Sequence, residues 1–341
     1  MSAPRAYYQV RIAEVVSEAG DACSLVLAVP PELAEQFAYR PGQFLTVRIP
    51  HDRDGSVARC YSLSSSPHTG DRLTITVKRM PGGFASNWIA DHLTAGNVLE
   101  ALPPAGTFSP QSLDFDFLLF AGGSGITPVM SILKSALAQG HGRIVLIYAN
   151  RDERSAIFDA ELRRLEAAAD HRLLIVHWLD SLQGAPTAAA LAELTRPYAG
   201  YEAFICGPDP YLAVVRQALS QLQVPAQRVH VERFLSLAEN PFEVTEAPGG
   251  IAATLGVTLD GQTRLLPWPP GTRMLDVLID QGLDPPFSCR EGICGACACR
   301  IIAGEVDMAH NEVLEPEDVA DGYVLACQAV PLTAEVSITY S

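Results

Sequence analysis

Four of the eight cysteines in this 341-residue chain fall between Cys289 and Cys299. Four residues separate Cys289 from Cys294, two separate Cys294 from Cys297, and twenty-nine separate Cys297 from Cys327. A C-x4-C-x2-C run with a remote fourth thiol is the plant-type spacing for a [2Fe–2S] cluster. The small residues of the run, Gly292, Gly295 and Ala296, let backbone amides point at sulfur and stabilise the charge held there. Zinc is the competing reading, but it normally takes paired Cys-x2–4-Cys knuckles, and only one such pair is present. Cys299, two residues past Cys297 in a strand-like run, reads as a small core residue rather than a ligand.

Three further phrases carry chemistry. The first is Arg59-Cys60-Tyr61-Ser62-Leu63, followed downstream by Val77-Lys78 and Gly83-Phe84-Ala85-Ser86. A flavin needs an aromatic face, a hydroxyl near its reactive nitrogen, and a cation plus a helix N-terminus for phosphate. Tyr61, Ser62 and Arg59 supply the first three, and Ser86 is expected to begin a helix. The second phrase is Gly122-Gly123-Ser124-Gly125-Ile126-Thr127-Pro128, after a buried strand and opening a helix. Glycines there let the backbone approach a pyrophosphate, although the Gly-x-Gly-x-x-Gly fingerprint itself is absent. The third, Cys206-Gly207-Pro208, ends a later strand at the sheet edge where ligands bind. Taken alone, Cys206 reads equally well as a small buried residue. Asn150 and Arg151 follow another strand, and the segment 150–155 mixes acids with arginines. An acid there suits the ribose of NADH, whereas arginine suits a 2′-phosphate.

The elements that must position these residues fall into three groups. The first ~110 residues alternate short strands (10–16, 24–29, 44–49, 73–77) with turns, the pattern of an antiparallel β-barrel. One helix is expected there, over 86–93. From residue 116 the rhythm becomes strand–helix: strands over 117–121, 144–149, 173–178 and 203–206, with helices over 128–137, 156–168 and 211–222. That alternation predicts an α/β domain with a parallel sheet. Residues 237–251, rich in Pro, Gly and acid, read as a linker. A hairpin (254–259 and 263–268, turning at Asp260-Gly261), a helix over 274–281, the cysteine loop and strands at 298–302 and 335–340 then suggest a β-grasp (α+β) domain. The expected boundaries are 1–111 for the flavin domain, 112–236 for the nucleotide domain, 237–251 for the linker and 252–341 for the iron–sulfur domain.

Composition narrows the partners. The formal charge is −15, which opposes nucleic acid and anionic membrane surfaces. Residues 252–341 hold 13 acids against 4 bases, a net −9. Glu312, Glu315, Glu317, Asp318 and Asp321 form a run suited either to steering a redox partner or simply to solvating a loop. No apolar run reaches the ~18 residues of a membrane span. The first residues lack the order of a signal peptide, so the expected location is cytoplasmic.

Together these motifs resemble the ferredoxin–NADP reductase superfamily fused to a C-terminal plant-type ferredoxin. The likeness covers essentially the whole chain. Its longer phrases, 59–69, 148–152 and 287–292, are most similar to reductase components of 3-ketosteroid 9α-hydroxylases, which are Rieske-type oxygenase systems. The resemblance implies that Arg59 to Leu63, Val77, Lys78 and Gly83 to Ser86 hold the flavin. It assigns Gly122 to Gly125, Thr127, Pro128, Asn150, Arg151 and Cys206 to Pro208 to the pyridine nucleotide. Ser62, Cys206, Glu232 and Phe234 would then surround the reacting rings, with Phe234 as a gate over the flavin; packing against the linker is its alternative role. Members with this domain order carry FMN or FAD, and the helix headed by Gly83-Phe84 leaves room for FAD. The resemblance favours NADH, with NADPH as the alternative. It implies a monomer passing electrons from NADH through FAD and the [2Fe–2S] cluster to a terminal oxygenase. A reductase for a di-iron epoxidase of the phenylacetyl-CoA type, or a redox sensor without turnover, are the rival readings.

Overall fold

A computed structural model describes residues 7–19, 21–51, 53, 55–238, 240–243, 249–259 and 261–340. The first six residues, Asp260 of the expected hairpin turn, and Glu239 and 244–248 of the expected linker lie outside the described residues.

Six strands build the first sheet: β1 (Tyr8–Glu18), β2 (Ala22–Ala28), β3 (Phe44–His51), β4 (Gly55–Ser62), β5 (Thr74–Lys78) and, after α1 (Phe84–His92), β6 (Val98–Ala101). Their order is β4-β3-β6-β1-β2-β5, and every pairing is antiparallel. Alternate residues such as Val10, Ile12, Leu25, Leu27, Leu45, Val47 and Ile49 point inward to one core. The sheet curls until its two edges meet at the Leu63–Ile75 bridge, so the expected barrel forms. Strand β4, which carries Arg59 to Ser62, escapes sequence patterning because small and polar residues dominate it. Eight register pairs with β3 make it a strand.

The second sheet is parallel: β7 (Phe117–Gly122), α2 (Ile126–Gln139), β8 (Ile144–Asn150), α3 (Asp159–Ala168), β9 (Leu173–Leu179), α4 (Asp180–Gln183), α5 (Ala188–Thr195), β10 (Glu202–Cys206), α6 (Asp209–Gln221) and β11 (Val229–Glu232). Strands β7 and β8 are buried along their whole length, as helices on both faces require. The expected four strands are five. The additional strand, β11, has only four residues, too few for a period to show. Helix α3 begins at Asp159 rather than 156 because Phe158 adopts a left-handed φ of 64° and interrupts the turn. The order β11-β10-β7-β8-β9 reverses direction between β7 and β10. Ligands of open α/β sheets bind in the crevice at such a switch point.

The third sheet is mixed: β12 (Ala253–Leu259), β13 (Gln262–Trp268), α7 (Met274–Asp280), β14 (Ala298–Ala303), β15 (Val306–Met308), α8 (Pro316–Ala320), β16 (Tyr323–Leu325), β17 (Ala329–Pro331) and β18 (Glu335–Thr339). Its order is β13-β12-β18-β14-β16, with β12 and β18 parallel, and β15 pairs with β17 as a separate ribbon. Helix α7 and the sheet close a core around Trp268, Leu275 and Leu278. Part of the expected linker is firmly packed. Leu237 is buried, Asn240 Nδ2 donates to Ser56 Oγ at 2.9 Å, and Phe242 meets Tyr7 edge-on.

The loops after β7 and β10 touch closely. A Cβ added at Gly125 would lie 2.1 Å from the Cys206 carbonyl oxygen, and one at Gly122 would lie 2.8 Å from the Tyr211 ring. Glycine is thus needed there for the approach of two protein loops, before any ligand is considered. Gly125→Ala is expected to destabilise the nucleotide domain by about 2 kcal/mol. Thermal melting of the purified variant checks this, the expected result being a lowered midpoint.

Candidate functional site

A cleft of about 550 Å³ opens between the barrel and the nucleotide domain, within the range of small-molecule sites. Its barrel wall is Arg59, Cys60, Tyr61 and Ser62 from β4, together with Lys78. Gly83, Phe84, Ala85 and Ser86 supply its end, where Gly83 caps the start of α1 without a side-chain hydrogen bond. The helix therefore begins two residues before Ser86, whose Oγ accepts from the Met80 N–H at 3.1 Å. Ser124, Thr127, Gly207 and Pro208 close the cleft from the nucleotide side, and Phe234 lies at its rim, 48% exposed. Aromatic ring, hydroxyl, cation and open helix end stand in one wall, as a flavin dinucleotide requires. Leu63 and Val77 differ from expectation: both side chains are buried in the barrel core and do not line the cleft.

A second cleft of about 380 Å³ continues past Lys78 and Pro208. Gly122 and Gly123 form its floor, with Asn150 and Arg151 at the end of β8. Both polar atoms of the Asn150 amide are buried and have no hydrogen-bond partner among the described residues. Burial, and then the charge of Arg151, hold the Lys78 ammonium below its ordinary value. Two cations and an unsatisfied amide beside a helix start fit a nucleotide with its pyrophosphate. Pro128 and Gly125 are buried behind this surface. Asp180, at the start of α4, also lines the cleft. Sequence reading missed it because nothing near it marks the strand end at Leu179.

A third cavity, about 250 Å³, joins the flavin wall to the cysteine loop: Cys60, Ser62 and Phe234 face Cys289, Ile293 and Cys294 across it. Glu232, the last residue of β11, lines it as well and pairs in register with Cys206. Burial pushes the Glu232 carboxyl up to about 8. Burial, and then the charge of Glu232, push the fully buried Cys206 thiol up too.

None of the eight cysteines forms a disulfide. Cys289 lies beside Cys294, and Cys297 beside the remote Cys327. Among the described residues, no three His, Cys, Asp or Glu side chains converge on a single point that could hold one metal ion. Four thiols set side by side two by two fit the donor set of a binuclear cluster with two ligands on each iron. The Glu291 amide donates to Cys289 Sγ at 3.3 Å, and the amides of Ile293 and Cys294 also point at it. Left-handed φ angles at Arg290 (61°), Gly292 (76°) and Gly295 (68°) wrap the loop in this way. Cys299 packs on Met274, with its Sγ 3.8 Å from the thioether sulfur, inside the third core.

The Glu232 carboxyl makes a signed prediction. Between its ordinary value and about 8 the folded protein retains a proton that the unfolded chain releases. Stability should therefore fall as pH rises through that window and level off above it. Over this window the loss is on the order of 2 kcal/mol, allowing for partial solvent access. Glu232→Gln should flatten the decline in melting temperature between about pH 5 and 8.

The geometry has counterparts among known proteins. Residues 9–109 match the model of an oxidoreductase FAD-binding domain, 119–217 an oxidoreductase NAD-binding domain, and 257–332 a 2Fe-2S iron-sulfur cluster binding domain. The chain is 53% identical over 335 residues to the "3-ketosteroid-9-alpha-monooxygenase, ferredoxin reductase component" of Rhodococcus rhodochrous, covering 96% of this chain and 95% of that protein. It is 33% identical to one of the subunits of the 1,2-phenylacetyl-CoA epoxidase of Escherichia coli, covering 98% of each chain. Among solved structures, phthalate dioxygenase reductase aligns over 98% of both chains at 26% identity and a TM-score of 0.58. No helix among the described residues is long and apolar enough to cross a membrane. The chain is an oxidoreductase with FAD, NAD and [2Fe–2S] domains in that order, and it belongs to the family of ferredoxin reductase components of multicomponent oxygenases.

Proposed function

We propose that this chain is the reductase of a Rieske-type 3-ketosteroid 9α-hydroxylase, delivering electrons from NADH to its terminal oxygenase. The observation that carries the reading is the 53% identity to the steroid reductase component along nearly the full length of both proteins. The epoxidase relative stands at 33%. When bound, FAD accepts the two electrons of NADH together and the cluster passes them on singly.

The chain's own residues have distinct tasks. Arg59 and the open start of α1 meet the flavin phosphates, Tyr61 offers its ring, and Ser62 offers a hydroxyl at the shared wall. Gly122 to Thr127, Asn150 and Arg151 hold the nucleotide, whose nicotinamide end lies toward Cys206 to Pro208 and Glu232. Phe234, exposed at the rim, gives way when that ring enters. Cys289, Cys294, Cys297 and Cys327 would hold the [2Fe–2S] cluster, which would supply one-electron transfer. Asp180 faces the end of the second cleft that also carries Arg151. A carboxylate there accepts from ribose hydroxyls and repels a 2′-phosphate, which favours NADH.

Reconstitution tests the function: the purified chain, a 3-ketosteroid oxygenase, NADH, dioxygen and a 3-ketosteroid should yield 9α-hydroxylated steroid, NAD⁺ and water. Efficient support of an epoxidase with no steroid turnover would replace this reading with the rival one. Asp180→Asn should raise kcat/KM for NADPH relative to NADH by about tenfold, the effect of removing one charge repulsion of roughly 1.4 kcal/mol. Cys327→Ser should abolish the iron–sulfur absorption and paramagnetic signals, whereas Cys299→Ser should retain them, with FAD still bound in both variants.

A further inference from the structure

Between the flavin cleft and the cysteine loop runs a short file of buried polar groups. Cys60 lines both the first cleft and the third cavity. Thr46 stands opposite it in the β3–β4 register, with Oγ1 3.3 Å from Cys60 Sγ. The same oxygen lies 2.7 Å from Ser288 Oγ, a link between residues 242 positions apart in the chain. Thr46 has no exposed surface and Ser288 is 1% exposed. Ser288 immediately precedes Cys289. Around this file, Phe44, Ala58, Ala105, Leu237, Cys289 and Cys294 pack as one apolar cluster.

Packing alone does not call for a hydroxyl at position 46, because valine has nearly the same shape and would suit the apolar surroundings. Apolar contact is also non-directional and tolerates small slides of one surface over another. A hydrogen bond tolerates them poorly, since it weakens steeply with angle and distance. A buried hydroxyl without its partner is costly, so Thr46 and Ser288 each fix the other.

We propose that Thr46 is a positioning residue for internal electron transfer: its hydroxyl, held between Cys60 and Ser288, locks the cluster loop at one separation from the flavin wall. This rests on the assignment of FAD to the first cleft and the cluster to the four cysteines. The overall reaction is unaltered: NADH yields NAD⁺, one proton and two electrons, and each electron reduces one equivalent of a one-electron acceptor.

The test compares holoprotein variants Thr46→Val, which removes the hydroxyl at constant shape, and Thr46→Ser, which keeps it. Anaerobic stopped-flow absorbance follows flavin reduction by NADH and then cluster reduction. Amide hydrogen exchange over residues 286–295 reports the docking of the loop independently of turnover. Thr46→Val should slow flavin-to-cluster transfer about fivefold, the population shift expected from one lost buried hydrogen bond. It should also speed exchange in the loop while leaving flavin reduction unchanged. Thr46→Ser should match wild type in both readouts, and Ser288→Ala should reproduce Thr46→Val from the other side of the seam. Wild-type transfer and exchange in Thr46→Val, or a Thr46→Ser variant as impaired as Thr46→Val, would overturn the proposal. Wild-type protein whose flavin is reduced with no cluster reduction would instead overturn the assignment of the two sites, and this inference with it.

Discussion

The arrangement depends on one contact, the seating of the cysteine loop on the barrel. Cys289 and Cys294 are buried in the same apolar cluster as Phe44, Ala58 and Ala105 of the first domain. A Cβ added at Gly295 would approach Thr107 of the barrel domain at 3.1 Å. Electrons cross protein only over short gaps, so two redox sites on separate domains need a shared wall rather than a flexible tether. The wall here is β4, whose Cys60 and Ser62 face the flavin cleft on one side and the cavity to the cluster loop on the other. The segment following Phe234 supports this seating, because Leu237 enters the apolar cluster and Asn240 ties back to Ser56.

Within the loop, charge and conformation act together. Arg290 adopts a left-handed φ, an arrangement that costs a non-glycine residue on the order of 1 kcal/mol. Its guanidinium is compensated by a buried ion pair with Asp276 on α7 and lies 5.0 Å from the Phe287 ring centroid. Burial raises the Asp276 carboxyl, and the Arg290 charge opposes that rise. Such a pair adds little net stability over well-packed apolar residues, but removing one partner leaves an uncompensated charge in the core. Its use here is to fix geometry: the Arg290 carbonyl, turned inward, accepts from Gln328 Nε2 at 2.6 Å, next to Cys327. The remote fourth thiol is thereby tied to the loop that carries the other three.

Much of this was legible in the sequence. The cysteine spacing identified the loop, and the glycine phrase after a buried strand identified the switch-point crevice. Both depend on local backbone requirements that residue type encodes directly. What was hidden depends on pairing. Strand β4 exists because β3 lies beside it, and β11 places Glu232 through register with Cys206. Leu63 and Val77 adjoin the flavin motifs in sequence, yet the fold turns their side chains into the barrel core. Asp180 and the Thr46–Ser288 link carry no local signal at all, since each gains meaning only from a residue brought to it by the fold.

The acidic run of the third domain shows why charge counts alone do not locate a docking face. Glu315 and Asp318 form a reciprocal capping box at the start of α8, the Glu315 amide donating to Asp318 Oδ2 at 3.0 Å. Glu312 lies 3.2 Å from His310, whose ring is held above its ordinary value first by the Glu291 carbonyl and then by Glu312. Three of the five acids thus already serve the local fold, and Glu317 and Asp321 bear more of the free surface charge. His310 and Glu312 also cover the cysteine loop: a Cβ added at Gly292 would come within 2.5 Å of the His310 carbonyl, and the Glu312 amide donates to the Gly292 carbonyl. Because the Cys289 and Cys294 side of the loop is turned to the barrel, an acceptor must approach from elsewhere. The His310 to Glu315 segment packs on the loop, and its Glu312 and Val313 line the cavity shared with the barrel, so acidic side chains and the backbone that covers the loop belong to one short stretch of chain.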